Sequence, residues 1–250
     1  GYREGNNQPI RSLQLEGLKS QAGQEIFREK GFEIAAEDAN ILIESYSGNP
    51  LALKIVSTTI AELFEGDVAQ FLAEGTVIFG DIADLLDQQF TRLSSLEQQV
   101  MYWLAIHQEW MSLSQLKQGL LTTISQRDLL EALESLQQRS LIEKQSAQFT
   151  QQPVVMEYIT AQLIEQVFEE ITTGEINLFE THALIEATTK DYLRTAQIRL
   201  ILKPLSEKLL TLFSHPEAVY QCLTQLLDKL RSRFPQKRGY AAGSLLNLLI

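Results

Sequence analysis

Three histidines, one cysteine and a single glycine–lysine pair are the side chains of this sequence best able to do chemistry. His107, His182 and His215 are too far apart in sequence for metal-ligand spacing, and Cys222 has no second ligand beside it. Each histidine therefore reads as a surface or helix-end residue. No Gly-x-Ser-x-Gly elbow presents a nucleophile. Gly48 and Lys54 stand at the spacing of a phosphate-cradling loop. Leu53, however, occupies the place of the second glycine, which lets backbone N–H groups close around phosphates, and no apolar strand precedes the segment. What remains is the run Ser47-Gly48-Asn49-Pro50-Leu51-Ala52-Leu53. Gly48 can take the left-handed conformation that ends a helix. Pro50 suits the first turn of the next one, where its missing N–H costs little. On pattern alone this is a tight turn between two helices, with a proline held at a fixed angle.

The elements that position this corner are helical. Residues 37–46 carry Ala39, Leu42, Ile43 and Tyr46 on one side, and 51–64 continue the apolar pattern. A helix from about Ser20, its expected N-cap, runs to Lys30 and stops at Gly31. A short extended segment at Ile10–Leu15 precedes it. A short helix over 67–73 and another over 82–93, capped by Asp81, complete this part. Residues 65–91 hold Glu65, Asp67, Glu74, Asp81, Asp84 and Asp87 and no base. That run is a solvated face, or a surface that meets a basic partner.

A different pattern begins at Ser94. Leu96, Val100, Met101, Leu104 and Ala105 make one amphipathic helix. Leu113, Leu116 and Leu120 make a second, capped by Ser112 or Ser114. Leu129, Leu130, Leu133 and Leu136 make a third, capped by Ser125. Ser140–Lys144 and Gln148–Thr150 read as two short strands around a turn at Ser146-Ala147. Three helices followed by a hairpin match a winged-helix domain. A helix from Pro153 to about Ile171 follows. Beyond Gly174 the pattern is nearly all helical: one long helix over 178–202, a restart at Pro204, then helices over 205–213, 216–231 and 240–249. Trp103 is expected in the core; Trp110 is expected either there or on the surface. The expected fold class is therefore mainly α: a small helical domain (19–93) after an end segment or linker strand (1–18), a winged helix with a short β-hairpin (94–172), and a C-terminal helical bundle or linker (173–250).

At 250 residues the chain can bury two cores, and 44% hydrophobic content is that of a globular protein. The net charge of −11 argues against general nucleic-acid binding, which needs a basic face. The expected third helix of the winged domain sets Arg127 and Arg139 against Asp128, Glu131 and Glu134, and the wing offers only Lys144. The cluster Lys229, Arg231, Arg233, Lys237 and Arg238 is a solvated helix end or a contact for an anionic partner. A lone cysteine suits a reducing, cytoplasmic setting. No apolar run approaches the roughly 18 residues needed to span a membrane, so no membrane partner is expected. The polar start and apolar end suggest a fragment of something longer.

The order of parts resembles the latter half of the NB-ARC module, the switch of the STAND-class signalling NTPases. These are relatives of apoptotic protease-activating factors and plant resistance proteins. The likeness is to the cyanobacterial members whose module precedes WD or pentapeptide repeats. It rests on Gly48–Leu53, Leu85–Tyr102 and Phe149–Thr160, and covers about residues 10–170. The resemblance implies that Pro50 packs on the adenine of bound ADP or ATP, with Gly48 and Leu51 shaping the pocket. The family's phosphate-sensing histidine falls at Gln152 and its aspartate at Pro153, so Gln152 offers at most an uncharged hydrogen bond. The Walker A and B elements would lie before Gly1. The resemblance thus implies no enzyme activity for this chain alone, and no cofactor except ADP or ATP in the full-length protein. Its partners would be the NTPase domain of the same polypeptide and other protein subunits, with nucleotide exchange controlling oligomerisation. Two alternatives stand beside this reading: a winged-helix DNA-binding regulator, and a helical protein–protein scaffold.

Overall fold

The computed structural model describes residues 17–31, 33–46, 48–73, 82–121, 124–186, 189–232 and 239–249. The protein is mainly helical, with one small antiparallel sheet. It divides into two compact units, Gly1–Asp87 and Gln88–Ile250. The expected segments 94–172 and 173–250 fall within the second of these. The expected strand at 10–15 and the Asp81 cap lie outside the described residues.

The first unit holds α1 (Ser20–Glu29), α2 (Ala36–Ser45), α3 (Pro50–Leu63) and α4 (Val68–Ala73), and α5 (Ile82–Thr91) begins in it. α1 packs on α2 and α3. Gly23 makes the α1–α2 approach close, since a Cβ there would run into the Ile43 side chain. Ser20 is the first helical residue of α1 rather than its cap. The cap position is Lys19, whose side chain makes no capping bond. α3 buries every residue from Leu51 to Ile60 except Lys54. Its three buried hydroxyls are satisfied locally: Ser57 and Thr58 donate to the Lys54 carbonyl (2.8 and 2.9 Å), and Thr59 to that of Ile55 (3.1 Å). That back-bonding lets a helix carrying Ser-Thr-Thr be buried on all sides.

The second unit opens with α6 (Ser95–His107), which starts at a full capping box. Ser94 Oγ accepts from Glu97 N–H, and the Glu97 carboxylate accepts from Ser94 N–H (2.7 Å). Val100 to His107 are all buried. Next come β1 (Met111–Ser112), α7 (Leu113–Gly119), α8 (Gln126–Gln138), β2 (Glu143–Gln145) and β3 (Gln148–Thr150). The sheet order is β1-β3-β2, with Met111 opposite Phe149 and Lys144 opposite Phe149 on the other side. Sequence patterning gives the hairpin but not β1, whose two residues are too few to alternate. Ser146 and Ala147 turn the hairpin with φ of 49° and 61°, as a two-residue hairpin turn requires. On α8 the buried face is Leu129, Ala132, Leu133 and Leu136; Leu130, expected among them, is exposed. α9 (Pro153–Thr173) packs along α6.

The single helix expected over 178–202 does not form. α10 spans only Leu178–Thr181, and α11 (Asp191–Gln197) starts ten residues later. Between them Ala183, Leu184 and Ile185 are buried in irregular chain. Side chains rather than a helical ladder satisfy that backbone: Leu184 N–H donates to Ser244 Oγ (3.2 Å) and Glu186 N–H to Gln197 Oε1 (3.1 Å). An apolar run buried in this way mimics a helical stripe. The expected restart at Pro204 is also corrected. α11 passes through a π-helical turn (Ile198–Leu202) straight into α12 (Lys203–Phe213), and Lys203 N–H reaches back to the Ile198 carbonyl. The wider turn comes just where proline would otherwise meet the preceding carbonyls, so the helix continues. α13 (Pro216–Ser232) and α14 (Ala241–Leu249) complete the unit.

Candidate functional site

The Gly48–Leu51 corner is rigid for reasons visible atom by atom. Gly48 has φ +64°, and its N–H donates to the Ile43 carbonyl (2.7 Å), closing the end of α2. Its own carbonyl accepts from Leu18 N–H (2.8 Å). Asn49 caps α3, its Oδ1 accepting from Leu51 N–H (3.0 Å) and Ala52 N–H (3.3 Å). Those two N–H groups are therefore committed, which makes this helix start a poor anion site. Pro50 is left exposed at the head of α3, whereas Leu51 beside it is buried.

Gln152, the fourth residue implied by the resemblance, belongs to the second unit. It is the half-exposed N-cap of α9 and makes no side-chain capping bond. Its neighbour Gln151 is buried and donates from Nε2 to the Met101 carbonyl (2.9 Å), tying the end of β3 to α6. The structure thus groups Gly48, Pro50 and Leu51 in one corner and places Gln152 at a separate turn.

His215 at the surface and His107 at the end of α6 meet the expectation for the histidines, whereas the burial of His107 and His182 is not legible in the sequence. Among the three, His215 alone is exposed. His182 is fully buried against the rings of Tyr102 and Trp103, with its Nε2 3.2 Å from the Gln99 carbonyl and its Nδ1 2.9 Å from Thr181 Oγ1. Burial lowers its pKa from 6.5 to about 4. The folded protein holds His182 neutral, whereas the unfolded chain takes up the proton from about pH 6.5 downward. Stability from this group is complete above pH 6.5 and is lost as pH falls towards 4. At about 1.4 kcal/mol per tenfold change in proton activity, the loss is roughly 3 kcal/mol. Urea titrations between pH 4 and 7 should show that slope, and His182→Gln should flatten it. An unchanged slope in the variant would assign the acid sensitivity elsewhere.

His107 ends α6 and is also buried, with Nδ1 2.7 Å from Glu186 Oε2. Gln197 Nε2 donates to that carboxylate (3.2 Å) and to the Ile106 carbonyl (3.0 Å). At the surface nearby, Tyr192 donates to Glu109 Oε1 (2.5 Å), and Lys190 lies 3.6 Å from Glu109 Oε2. These groups border a cleft of about 960 Å³ within the second unit, walled by α6, α7, β3, residues 183–186 and 189–190, and α14. No sequence signal points to it, because its walls come from five stretches far apart in the chain. Among the described residues no group of His, Cys, Asp and Glu could hold a metal ion, and no helix is long and apolar enough to cross a membrane.

A mainly helical protein of two units, the second with a three-stranded sheet, is the class these features define. No family model matches the chain. It is similar to alr2800, an uncharacterised WD repeat-containing protein of Nostoc sp. (strain PCC 7120), at 47% identity over 283 aligned residues. The match covers 98% of the chain and 22% of the relative, so the chain spans about a fifth of that protein's length. Among solved structures it is similar to a signal transduction ATPase with numerous domains (STAND) protein with a tetratricopeptide repeat sensor, PH0952 from Pyrococcus horikoshii. There the identity is 15% and the TM-score 0.44, covering 94% of this chain and 35% of that one. A likeness at that level is too weak to fix a shared fold.

Proposed function

We propose that the chain is the regulatory part of a nucleotide-gated signalling protein of the STAND class. In this reading the first unit is the helical ARC-like domain. The helix–strand–helix–helix–hairpin run of the second unit is its winged helix, and 173–250 link onward to the WD repeats that the relative's name records. The chain does no chemistry itself. It closes over ADP or ATP held by an NTPase domain of the same polypeptide, and nucleotide exchange frees a surface for oligomerisation.

The observation that carries this reading is the exposed Pro50 on a corner fixed from both sides. A proline ring there presents a flat apolar face at no conformational cost, which suits an adenine. Asn49 already occupies the adjacent N–H groups, so the phosphates belong elsewhere. Gln152, with its side chain uncommitted as a cap, is the second nucleotide contact. The DNA-binding alternative draws less support: on α8, Arg127 is paired with Glu131 at 2.7 Å and the exposed face stays acidic.

In the full-length protein, Pro50→Ala should weaken ADP binding about tenfold, or roughly 1.4 kcal/mol. Gln152→Ala should weaken it several-fold. Calorimetric titration of ADP measures both, and unchanged affinity in both variants would remove the assigned roles.

A further inference from the structure

We propose that the cleft between α7, β3 and α14 is a docking site for an uncharged peptide segment in extended form. This is independent of the nucleotide reading, whose residues lie elsewhere in the chain. Three features of the cleft carry the proposal.

The first is charge. Its ionisable groups are spent on one another: Glu186 on His107 and Gln197, Glu109 on Tyr192 and Lys190. A charged ligand would have to break the largely buried His107–Glu186 pair or compete with the exposed Glu109–Lys190 pair, and the described residues of the cleft offer it no free counter-charge. The second is hydrogen bonding. Gln118, Gln148 and Asn247 line the cleft, and their side-chain amides bond to none of the described residues. Gln115 spends its Oε1 on the Ser112 backbone and keeps its Nε2. A carboxamide offers a donor and an acceptor side by side, which is the complement of a peptide group. Here such groups are spread over three elements, so they match a repeating chain of amides better than one small solute. At about 960 Å³ the space also sits at the top of the roughly 300–1,000 Å³ typical of small-molecule pockets. Trp110 on the wall supplies an aromatic anchor.

The third is Gly243. It lies inside α14, where glycine costs about 1 kcal/mol relative to alanine. A Cβ built there would meet no described atom within 4 Å, so packing in the unit does not require the glycine. It faces the cleft and leaves room for a bound backbone to come close.

The chain has two tryptophans, Trp103 and Trp110, and both line this cleft, so intrinsic fluorescence reports its occupancy. A displayed library of random dodecapeptides, selected on the chain and counter-selected on Gly243→Leu, tests the proposal. The expected result is a family of peptides uncharged at their shared positions. Synthesised singly, they should shift tryptophan emission and bind Gly243→Leu at least tenfold more weakly, while that variant melts at the same or a higher temperature. Gln118→Ala and Gln148→Ala, at exposed positions, should each weaken binding about three- to tenfold and decide the matter if Gly243→Leu fails to fold. Selection of charged consensus peptides, equal binding to all variants, or no enrichment over the counter-selection would overturn the proposal.

Discussion

Replacing Glu170 by alanine should cost the second unit about 3–5 kcal/mol. Glu170 is buried on α9, and its carboxylate accepts three backbone N–H groups: Asn177 (3.0 Å), Leu178 (2.8 Å) and Phe179 (2.9 Å). These are the orphan donors at the start of α10, a helix of only four residues that cannot satisfy them itself. Each buried N–H left without a partner costs about 1–3 kcal/mol, and three are released at once. Against a total stability of about 5–15 kcal/mol for a domain, that is a large fraction. Glu170→Gln keeps an acceptor oxygen and should recover part of the loss. Equilibrium urea unfolding of the two variants measures both, and a loss below about 1 kcal/mol for Glu170→Ala would mean water replaces the carboxylate freely. The consequence reaches beyond α10. Phe179 and His182 pack directly after this cap, and the buried segment 183–185 then carries Glu186 to His107 at the cleft. Loss of Glu170 should therefore also disturb the cleft wall.

Glu170 went unread in the sequence. It falls on the apolar stripe Leu163, Val167, Ile171 of α9, and an acid in such a stripe signals a buried partner. The partner itself was hidden, because backbone N–H groups leave no trace in residue type. Helices with strong local signals are readable in the same terms. Ser94 with Glu97, Ser125 before α8, and Pro153 at the head of α9 each set a start by local chemistry. The Gly-Asn-Pro corner is likewise written in three adjacent residues. The cleft and His182 are not, since both are made by tertiary contact between distant segments. The stretch 182–186 departs from expectation for a related reason. Ala183, Leu184 and Ile185 are buried without a helix because side chains satisfy part of the local backbone, which periodicity cannot tell from a helix.

Gly48→Ala should destabilise the first unit by about 2–3 kcal/mol, and two separate causes contribute. With φ at +64°, any residue bearing a Cβ pays about 1–2 kcal/mol for the left-handed conformation. The added Cβ would also fall 2.5 Å from the Leu18 carbonyl oxygen, 2.6 Å from its nitrogen and 2.8 Å from the Gly17 carbonyl carbon. These are backbone atoms that cannot rotate aside, so the Leu18 N–H to Gly48 carbonyl bond must open, at about 1 kcal/mol more. Gly48→Asn separates the causes. Asparagine tolerates the left-handed region, so it should be mild if conformation alone mattered. The close approach of the Gly17-Leu18 backbone instead makes it about as damaging as alanine. Thermal denaturation of both variants measures this, and a well-tolerated Gly48→Asn would refute the packing argument while leaving the φ argument intact. If the close approach holds, the segment at Leu18 clamps the corner from outside, and the angle at which Pro50 leaves α2 is set by backbone contact rather than by the turn alone. An adenine-facing proline would then depend on a residue some thirty positions upstream, and Gly48→Ala should weaken nucleotide binding in the full-length protein even though glycine itself offers the ligand no side chain.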